Sequence, residues 1–383
     1  MAPIGGAIYA EEVPGVAPPV PGLPDARSGS DVPLSTLTTL GIGGRADRVV
    51  VAEDEAALVA AVTAVDRADR PLLVLGGGSN VVVADDPLPG DVVVVRTRGT
   101  RDAEDAGGPG GAPRVLRTVA AGEPWDVVVA DAVADGLAGL ECLSGIPGAT
   151  GATPIQNVGA YGQEVADTIV AVRVLDRRTG EVATLPAEAL GFAYRDSVLK
   201  GRDDRVVLDV TFALERSGLG APVRYGELAR TVGASAGERV PAAELRDAVL
   251  ALRRGKGMVL DPADPDTRSA GSFFTNPILA QDDFAAFRAR VAERLGADVE
   301  PPEYEAGPGL RKTSAAWLID RAGFGKGHAR EGAAISSKHT LALTSRGGDA
   351  ADLLALAREV ADGVHAAFGV ALHPEPVLVG TRW

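Results

Sequence analysis

In the first half of the chain, short apolar runs typical of strands alternate with segments whose hydrophobic residues have helical spacing. Residues 47–51 and 71–75 are short, β-branched apolar runs that predict strands. Residues 53–67 have helical spacing with acidic residues at the start, which is typical of a helix N-terminus. Further elements are predicted as a helix with proline in its first turn at 124–136 and as strands at 169–175 and 206–214.

The second half is predicted to be richer in helix. Residues 242–253 and 282–295 have helical spacing, and 350–368 is a long amphipathic segment whose apolar side we interpret as a packing face. A chain of 383 residues is too long for one ordinary core, so two or three subdomains are expected. The fold class is predicted to be α+β.

Two glycine-containing strings sit between predicted strands. Residues 76–80 read Gly-Gly-Gly-Ser-Asn and are followed by Val81-Val-Val83, so the order is strand, turn, strand. A dinucleotide-binding Rossmann unit requires a helix after its glycines, and 41–46, which matches G-x-G-x-x-A, also leads into a β-branched run. We therefore expect a different phosphate cradle, and the chain contains no P-loop motif.

Residues 145–162 form the most informative segment. Glycines and two prolines surround Gln156 and Asn157, so main-chain N–H groups can be aimed at anionic oxygens while the amides suit a heterocycle edge or a diphosphate. The alternative is a long surface turn. In contrast, 102–113 is a Gly/Asp/Ala/Pro insert that predicts a disordered loop, and 1–30 is predicted to be a mobile extension without a secretion signal.

Composition limits the possible functions. The net charge of −14 gives no general attraction for nucleic acid, and no apolar run approaches a membrane span. The presence of a single cysteine, Cys142, fits a reducing cytoplasm. We interpret Cys142 as a small packed residue, and the alternative is a reactive thiol. The four histidines lack metal-ligand spacing, so no metal site is expected.

Three later motifs carry possible chemistry. Arg195, within Tyr194-Arg-Asp-Ser197, can grip a carboxylate; Ser272 follows a glycine and precedes two aromatics; and Glu375 lies between two prolines. Each also has an ordinary structural interpretation, as a surface ion pair, a turn cap and an exposed carboxylate respectively. No G-x-S-x-G elbow surrounds Ser272, which disfavours a hydrolase.

Taken together, the motifs resemble the UDP-N-acetylenolpyruvoylglucosamine reductase family from about Leu34 to the end of the chain. The resemblance is carried by 38–44, 75–80, 146–162, Tyr194-Arg-Asp-Ser197, Arg224-Tyr-Gly-Glu-Leu228, 271–277 and Pro374-Glu375. The earlier motifs alone are similar to the wider FAD-binding fold of the vanillyl-alcohol oxidase type. The resemblance implies an FAD-binding domain at 31–220, divided near residue 97, followed by a substrate-binding α+β domain at 221–383.

The resemblance also implies noncovalent FAD, NADPH as reductant, and a nucleotide-sugar substrate whose enolpyruvyl group is reduced for peptidoglycan synthesis. Arg195 and Glu375 would hold the substrate carboxylate and its enolate-like form, and Ser272 would deliver the proton. Substrate binding is implied for Tyr194, Tyr225, Lys256 and Asn276, with Lys256 facing the diphosphate. FAD binding is implied for Gly76, Gly77, Gly78, Ser79, Asn80, Ile146, Pro147, Gly148, Gly151, Thr153, Gln156, Asn157, Gly159, Tyr161 and Arg253.

The chain departs from the family pattern in two places. Pro376-Val377 follows Glu375 where the family often has Val-Arg, and 254–258 is unusually rich in glycine around Lys256. Two other classes stay open: an oxidase of the same fold, which predicts a residue that tethers the flavin, and a nonenzymatic nucleotide-sugar sensor, which predicts loss of a catalytic residue. We expect a cytoplasmic monomer.

Overall fold

The structure is a computed structural model that describes residues 23–105 and 113–383. Its first subdomain is a four-stranded sheet in the order β1-β2-β5-β3, with β1 antiparallel to β2 and the other pairs parallel. The elements are β1 (Gly29–Pro33), β2 (Arg45–Ala52), α1 (Glu55–Arg67), β3 (Leu72–Leu75), β4 (Val81–Val83) and β5 (Leu88–Val95).

Local sequence explains the start of α1. The Asp54 carboxylate accepts a hydrogen bond from the Ala57 N–H at 2.8 Å, which caps the helix, and Leu58 and Val62 are buried on one face. The predicted helix at 53–67 and the strands at 47–51 and 71–75 are confirmed within two residues. The string at 41–46 leads into β2 and not into a helix, so it is not a Rossmann fingerprint.

The second subdomain is an antiparallel sheet in the order β12-β11-β13-β7-β6, with β8 paired to β13 and a short β9-β10 hairpin beside it. The elements are β6 (Thr100–Asp105), β7 (Arg114–Ala120), α2 (Trp125–Ala134), β8 (Leu137–Ala138), β9 (Gly159–Ala160), β10 (Gln163–Glu164), β11 (Ile169–Asp176), β12 (Val182–Pro186) and β13 (Arg205–Arg216).

Two expectations for this region need correction. The predicted disordered loop at 102–113 is wrong for Asp102–Asp105, which belong to β6 and pair with β7. Residues 106–112 lie outside the described residues. Pro124 stands at the N-cap and Trp125 begins α2, so the proline precedes the first turn.

A shared core joins the two subdomains. Leu58 and Val62 of α1 belong to the same buried cluster as Trp125 and Phe212, whose rings are 5.7 Å apart. Because this core includes residues of both sheets, it fixes the position of one subdomain, and of its loops, relative to the other. The glycine-rich segments 76–80 and 145–162 are such loops.

The third domain contains helices and two small sheets, in the orders β14-β20-β19-β18 and β15-β17-β16, and its last strand pairs with β4 of the first subdomain. Its elements are α3 (Gly226–Val232), α4 (Ala242–Gly255), β14 (Ser269–Ser272), β15 (Ile278–Ala280), α5 (Gln281–Leu295), β16 (Tyr304–Glu305), β17 (Leu310–Lys312), α6 (Ala315–Arg321), β18 (Ala329–Arg330), β19 (Ala333–Ile335), β20 (Ala342–Ser345), α7 (Ala350–Phe368) and β21 (Val377–Val379).

The C-terminal segment returns to the first subdomain. Strand β21 pairs in parallel with β4, directly after the 76–80 turn. The Asp85 carboxylate of the first subdomain also accepts hydrogen bonds from the Ala350 and Ala351 N–H groups at 3.0 and 3.2 Å, at the start of α7. These two connections bring Glu375 to the glycine turn. The buried face of α7 confirms its predicted packing role.

The described part of the N-terminal segment makes specific contacts. Leu23 is buried, and the Pro24 carbonyl accepts a hydrogen bond from Arg96 Nη2 at 3.0 Å. The predicted mobile extension is therefore wrong for 23–30, and 1–22 lies outside the described residues. Within the described ranges, no helix has the length and apolar character needed to cross a membrane.

Candidate active site

The two glycine-rich segments touch each other through backbone atoms. The Ser79 hydroxyl donates to the Pro147 carbonyl at 2.9 Å, and a Cβ placed on Gly77 would lie 2.5 Å from the Gly148 Cα. Gly78 has a φ of +63° and its carbonyl accepts from the Thr39 N–H at 3.0 Å. Only glycine at positions 77 and 78 permits the close approach, and the Ser79 hydroxyl ties the two loops together.

Main-chain hydrogen bonds to residues 121 and 125 hold the second glycine-rich segment, 145–162, in place. The Gly148 carbonyl accepts from the Trp125 N–H at 3.0 Å, and the Gly151 N–H donates to the Ala121 carbonyl at 2.8 Å. Thr153 turns its hydroxyl onto the Thr150 carbonyl at 2.8 Å, and Ile146 packs against the core. Thr153 therefore shapes the loop, and its predicted contact with the cofactor stays a prediction.

Asn157 holds the following turn. It has a φ of +46°, is buried, and donates from Nδ2 to Glu164 Oε2 at 2.8 Å and to the Ala193 carbonyl at 3.0 Å. A left-handed conformation is costly for a residue with a side chain, and asparagine tolerates it better than most. Asn157 thus links the glycine-rich segment to the loop that carries Arg195.

Arg195 and Glu375 form a partly buried ion pair. Arg195 Nε lies 3.3 Å from Glu375 Oε1, and Arg195 Nη2 donates to the Gly159 carbonyl at 2.6 Å. Arg195 also has a φ of +54°, and Lys200 Nζ donates to its carbonyl at 2.6 Å. A strained residue held by this many contacts is typical of a functional site. Burial raises the pKa of Glu375, although Arg195 and Lys200 oppose the shift.

Ser272 lies next to the main chain that holds Glu375. The Glu375 N–H donates to the carbonyl of Phe273 at 2.8 Å, and Gly271, with a φ of +77°, precedes Ser272 at the end of β14. The side chains of Phe273 and Phe274 are buried in the core of the third domain. They fix the end of β14, where the partly buried Ser272 directly precedes Phe273, whose carbonyl contacts the Glu375 N–H.

Arg253 is buried with an unused donor. Its Nη2 group donates to the Met258 carbonyl at 2.8 Å, but its Nε–H has no partner among the described residues. Burial lowers the pKa of this guanidinium to about 10, so it remains charged at neutral pH. The Nε atom lies 3.5 Å from the Cβ position of Gly145, at the start of the second glycine-rich segment. An acceptor on a bound heterocycle fits this donor.

A cationic cavity of about 470 Å³ adjoins this region. Lys256 lies on its wall, 2.5 Å from Glu227 Oε2, with its ammonium 5.6 Å from the centre of the Tyr161 ring. Tyr161 is in edge contact with Tyr225, which is 44% exposed. Three further wall residues carry nitrogen side chains that sequence reasoning did not select: Lys326, Lys338 and His339. Burial, followed by Lys256 and Lys326, lowers the pKa of His339 to about 4.

Tyr194 and Asn276 occupy different surroundings. Tyr194 lies between two cations, with Arg195 Cζ 5.2 Å and Lys312 Nζ 4.5 Å from the ring centre. Asn276 Oδ1 accepts from the Ala315 N–H at 3.0 Å, at the start of α6. Asn276 therefore has a structural role, and its substrate contact stays a prediction. Nothing in the sequence pattern singled out Lys312.

Cys142 is buried, and burial raises the pKa of its thiol to about 12, so the packed interpretation holds over the reactive one. Within 23–105 and 113–383, no group of three His, Cys, Asp or Glu side chains could hold a metal ion.

Comparison with known proteins agrees with this architecture. Residues 46–186 match the profile of an FAD binding domain, and 262–379 match the UDP-N-acetylenolpyruvoylglucosamine reductase C-terminal domain. The fold is thus the predicted FAD-binding class with an added C-terminal domain. A crystal structure of UDP-N-acetylenolpyruvylglucosamine reductase from Thermus caldophilus superposes with a TM-score of 0.61 at 26% identity, covering 92% of this chain and 99% of that one.

Two curated relatives are much closer in sequence. The UDP-N-acetylenolpyruvoylglucosamine reductase of Saccharopolyspora erythraea is 60% identical over 349 residues, which is 90% of this chain and 94% of the relative. That of Thermobifida fusca is 57% identical over 352 residues, or 91% and 97% of the two chains. The chain belongs to the UDP-N-acetylenolpyruvoylglucosamine reductase family.

Proposed function

We propose that this FAD-dependent oxidoreductase reduces UDP-N-acetylglucosamine enolpyruvate to UDP-N-acetylmuramate for peptidoglycan synthesis, with NADPH as reductant. Family membership supports the reaction, and the partly buried Arg195–Glu375 pair is the observation that carries it. That pair combines a carboxylate-binding cation with a carboxyl group whose pKa is raised. A nonenzymatic sensor would have no need for such a combination.

The residues present fit noncovalent FAD. Gly77 and Gly148 bring the backbones of the two glycine-rich loops together with no room for a Cβ, and the Arg253 Nε–H, which has no partner among the described residues, requires an acceptor. The turn at 76–80 and the 146–157 segment would hold the pyrophosphate, and Arg253 would face the ring system. When bound, FAD supplies the hydride. Asn157 and Thr153 act on the cradle from outside, by fixing its loops.

Three side chains act on the enolpyruvyl group. Hydride addition at its terminal carbon leaves negative charge on the adjacent carbon and carboxylate, where Arg195 offers charge-assisted hydrogen bonds. Glu375 lies against Arg195, and its protonated carboxyl group, which the raised pKa favours, donates a hydrogen bond to the enolate-like form. The Ser272 Oγ–H gives its proton to the adjacent carbon, because a carbanionic centre shielded from water is basic enough to take it. The serine then regains a proton from solvent.

Lys256, Tyr225 and Tyr194 would bind the remainder of the substrate, with Asn276 beside them. The cavity walls carry Lys256 and Lys326, so a dianionic diphosphate meets local positive charge in a chain of net charge −14. Glu227 now neutralises Lys256, and the diphosphate would replace it as the partner of the ammonium. We further propose that the protein acts as a cytoplasmic monomer.

The half-reactions of Ser272→Ala test the assignment of the proton donor. Anaerobic stopped-flow absorbance should show near-normal flavin reduction by NADPH, while reoxidation by the enolpyruvyl substrate slows by about 10²–10³-fold, the usual loss for a transition-state donor. Thr275→Val is the matched control, since Thr275 lies on the same loop and its hydroxyl only reaches the His373 carbonyl at 3.5 Å. Equal losses in both half-reactions of Ser272→Ala would assign the serine a structural role instead.

A further inference from the structure

Two side-chain amides connect the first glycine turn to Glu375. Asn80 Nδ2 donates to Gln156 Oε1 at 2.8 Å and approaches the Glu375 main-chain carbonyl at 3.5 Å. Gln156 Nε2 in turn approaches Glu375 Oε1 at 3.5 Å. The Asn80 carbonyl also accepts from the Val377 N–H at 2.9 Å, so the turn contacts the chain on both sides of the glutamate.

Asn80, Gln156 and Glu375 thus form a relay of hydrogen bonds. Which amide atom donates in each contact is fixed by a group that can only accept. A main-chain carbonyl only accepts hydrogen bonds, so Asn80 must turn its NH₂ toward the Glu375 carbonyl. The Asn80 NH₂ group also faces Gln156, so Gln156 must turn its amide oxygen toward Asn80 to accept. The Gln156 NH₂ is thereby turned toward the Glu375 carboxyl group, where it can donate but cannot accept.

We propose that Asn80 is a positioning residue that, through Gln156, holds an N–H donor against the Glu375 carboxylate and so sets its protonation and its place beside Arg195. The inference rests on the proposed function, because it refines the role of Glu375 in that reaction. It adds a task to two residues that were otherwise assigned only to the cofactor cradle.

Several other groups near Glu375 raise or lower the pKa of its carboxyl group, and the Gln156 donor acts together with them. Among the described residues, Arg195 at 3.3 Å and Lys200 favour the ionised form, and Glu164 lies 3.8 Å from Arg195 and draws part of its charge away. Burial acts in the opposite direction and prevails. A hydrogen bond to the charged form limits this shift, so losing the Gln156 donor should raise the pKa further.

The test uses single and double variants of the FAD-loaded enzyme. The reoxidation rate of the reduced flavin by the enolpyruvyl substrate is measured against pH for the parent, Asn80→Ala, Gln156→Met and the double variant. Each single variant should move the Glu375-dependent apparent pKa upward by about 1 unit, the size expected for one weak hydrogen bond to a charged group. The double variant should shift no further than Gln156→Met alone, because Asn80 acts through Gln156.

Ser79→Ala is the matched control. It removes a hydrogen bond between the same two loops, from Ser79 Oγ to the Pro147 carbonyl, but leaves the relay intact. Ser79→Ala should therefore weaken FAD binding without moving the pH profile. Additive shifts in the double variant, an unmoved profile in Asn80→Ala, or an equal shift in Ser79→Ala would each overturn the proposal.

A cofactor-free measurement keeps the two claims separate. The ¹³C carboxyl resonance of Glu375, assigned by its loss in Glu375→Gln, is titrated in apo-protein for the parent and Asn80→Ala. An upward shift in Asn80→Ala supports the relay even if the substrate assignment fails. If the parent enzyme is not reoxidised by the enolpyruvyl substrate, the proposed function fails, whereas unchanged titration of Glu375 contradicts only the relay.

Discussion

Adding a single methyl group at Gly77 should separate the two glycine-rich loops. The new Cβ would lie 2.5 Å from the Gly148 Cα and 2.8 Å from Leu23 Cδ2, whereas carbon atoms pack at about 3.5–4.0 Å. One loop must therefore move by roughly 1 Å. Gly148 cannot move freely, because its carbonyl accepts from the Trp125 N–H at 3.0 Å.

The magnitude follows from the cost of overpacking. An extra methyl group in a tightly packed site costs about 1–3 kcal/mol, and for a domain of this size each kcal/mol lowers the midpoint of thermal unfolding by about 2–4 °C. Gly77→Ala apo-protein should therefore unfold about 2–12 °C below the parent. FAD affinity, measured by flavin fluorescence, should fall about tenfold or more, which corresponds to ~1.4 kcal/mol.

Gly76→Ala provides the matched control in the neighbouring position. A Cβ there would meet its nearest neighbour, the Ala149 Cβ, at 3.4 Å, which is an ordinary contact, and neither glycine has positive φ. The apo-protein midpoint of Gly76→Ala should remain close to that of the parent. If the two variants lower the midpoint equally, or if Gly77→Ala leaves both midpoint and FAD affinity unchanged, the close-approach reasoning is refuted.

Three further predictions concern charged groups. Glu227→Gln should lower the KM for the nucleotide sugar several-fold in steady-state assays, because the counter-ion of Lys256 is removed; an increased KM would contradict the exchange of partners. Asp85→Ala should lower the midpoint of thermal unfolding by about 2–4 °C, since removing a carboxylate that accepts from the first N–H groups of α7 costs about 1 kcal/mol, and an unchanged midpoint would show that solvent replaces this carboxylate. Glu375 has a raised pKa when folded, so its contribution to stability is full below its ordinary pKa and is lost as pH rises through the folded value. Glu375→Gln should therefore flatten the decline of the thermal midpoint between acidic and neutral pH while slowing reoxidation; an unchanged decline would argue against the burial effect.

Elements with clear periodicity were predictable from sequence, and β6 shows where that signal fails. Its residues Thr100–Asp105 are mostly charged and exposed, because β6 is an edge strand. It is held to β7 by main-chain pairing and by ion pairs such as Arg117–Asp102, at 2.8 Å, so it needs no apolar alternation. Because the strand lacks hydrophobic alternation, its sequence pattern predicts a loop.

The active site could be predicted only in part, for a similar reason. Arg195 and Glu375 were selected individually, but their contact joins distant parts of the chain through the return of β21 onto β4. Local sequence does not encode that return, and only the resemblance to a family implied that the two residues share one substrate group. Lys312 and Lys326 were missed because single lysines carry no spacing signal, and only the fold brings them to Tyr194 and to the cationic cavity.

The central claim is that reduced flavin in this protein passes its hydride to an enolpyruvyl nucleotide sugar. The most direct measurement is the visible spectrum of the FAD-loaded protein under anaerobic conditions, first with NADPH and then with UDP-N-acetylglucosamine enolpyruvate. We predict that the flavin band bleaches with NADPH and returns when that substrate is added, with UDP-N-acetylmuramate formed in equal amount. A band that returns only on admission of oxygen would contradict the account and assign the chain to oxidase chemistry.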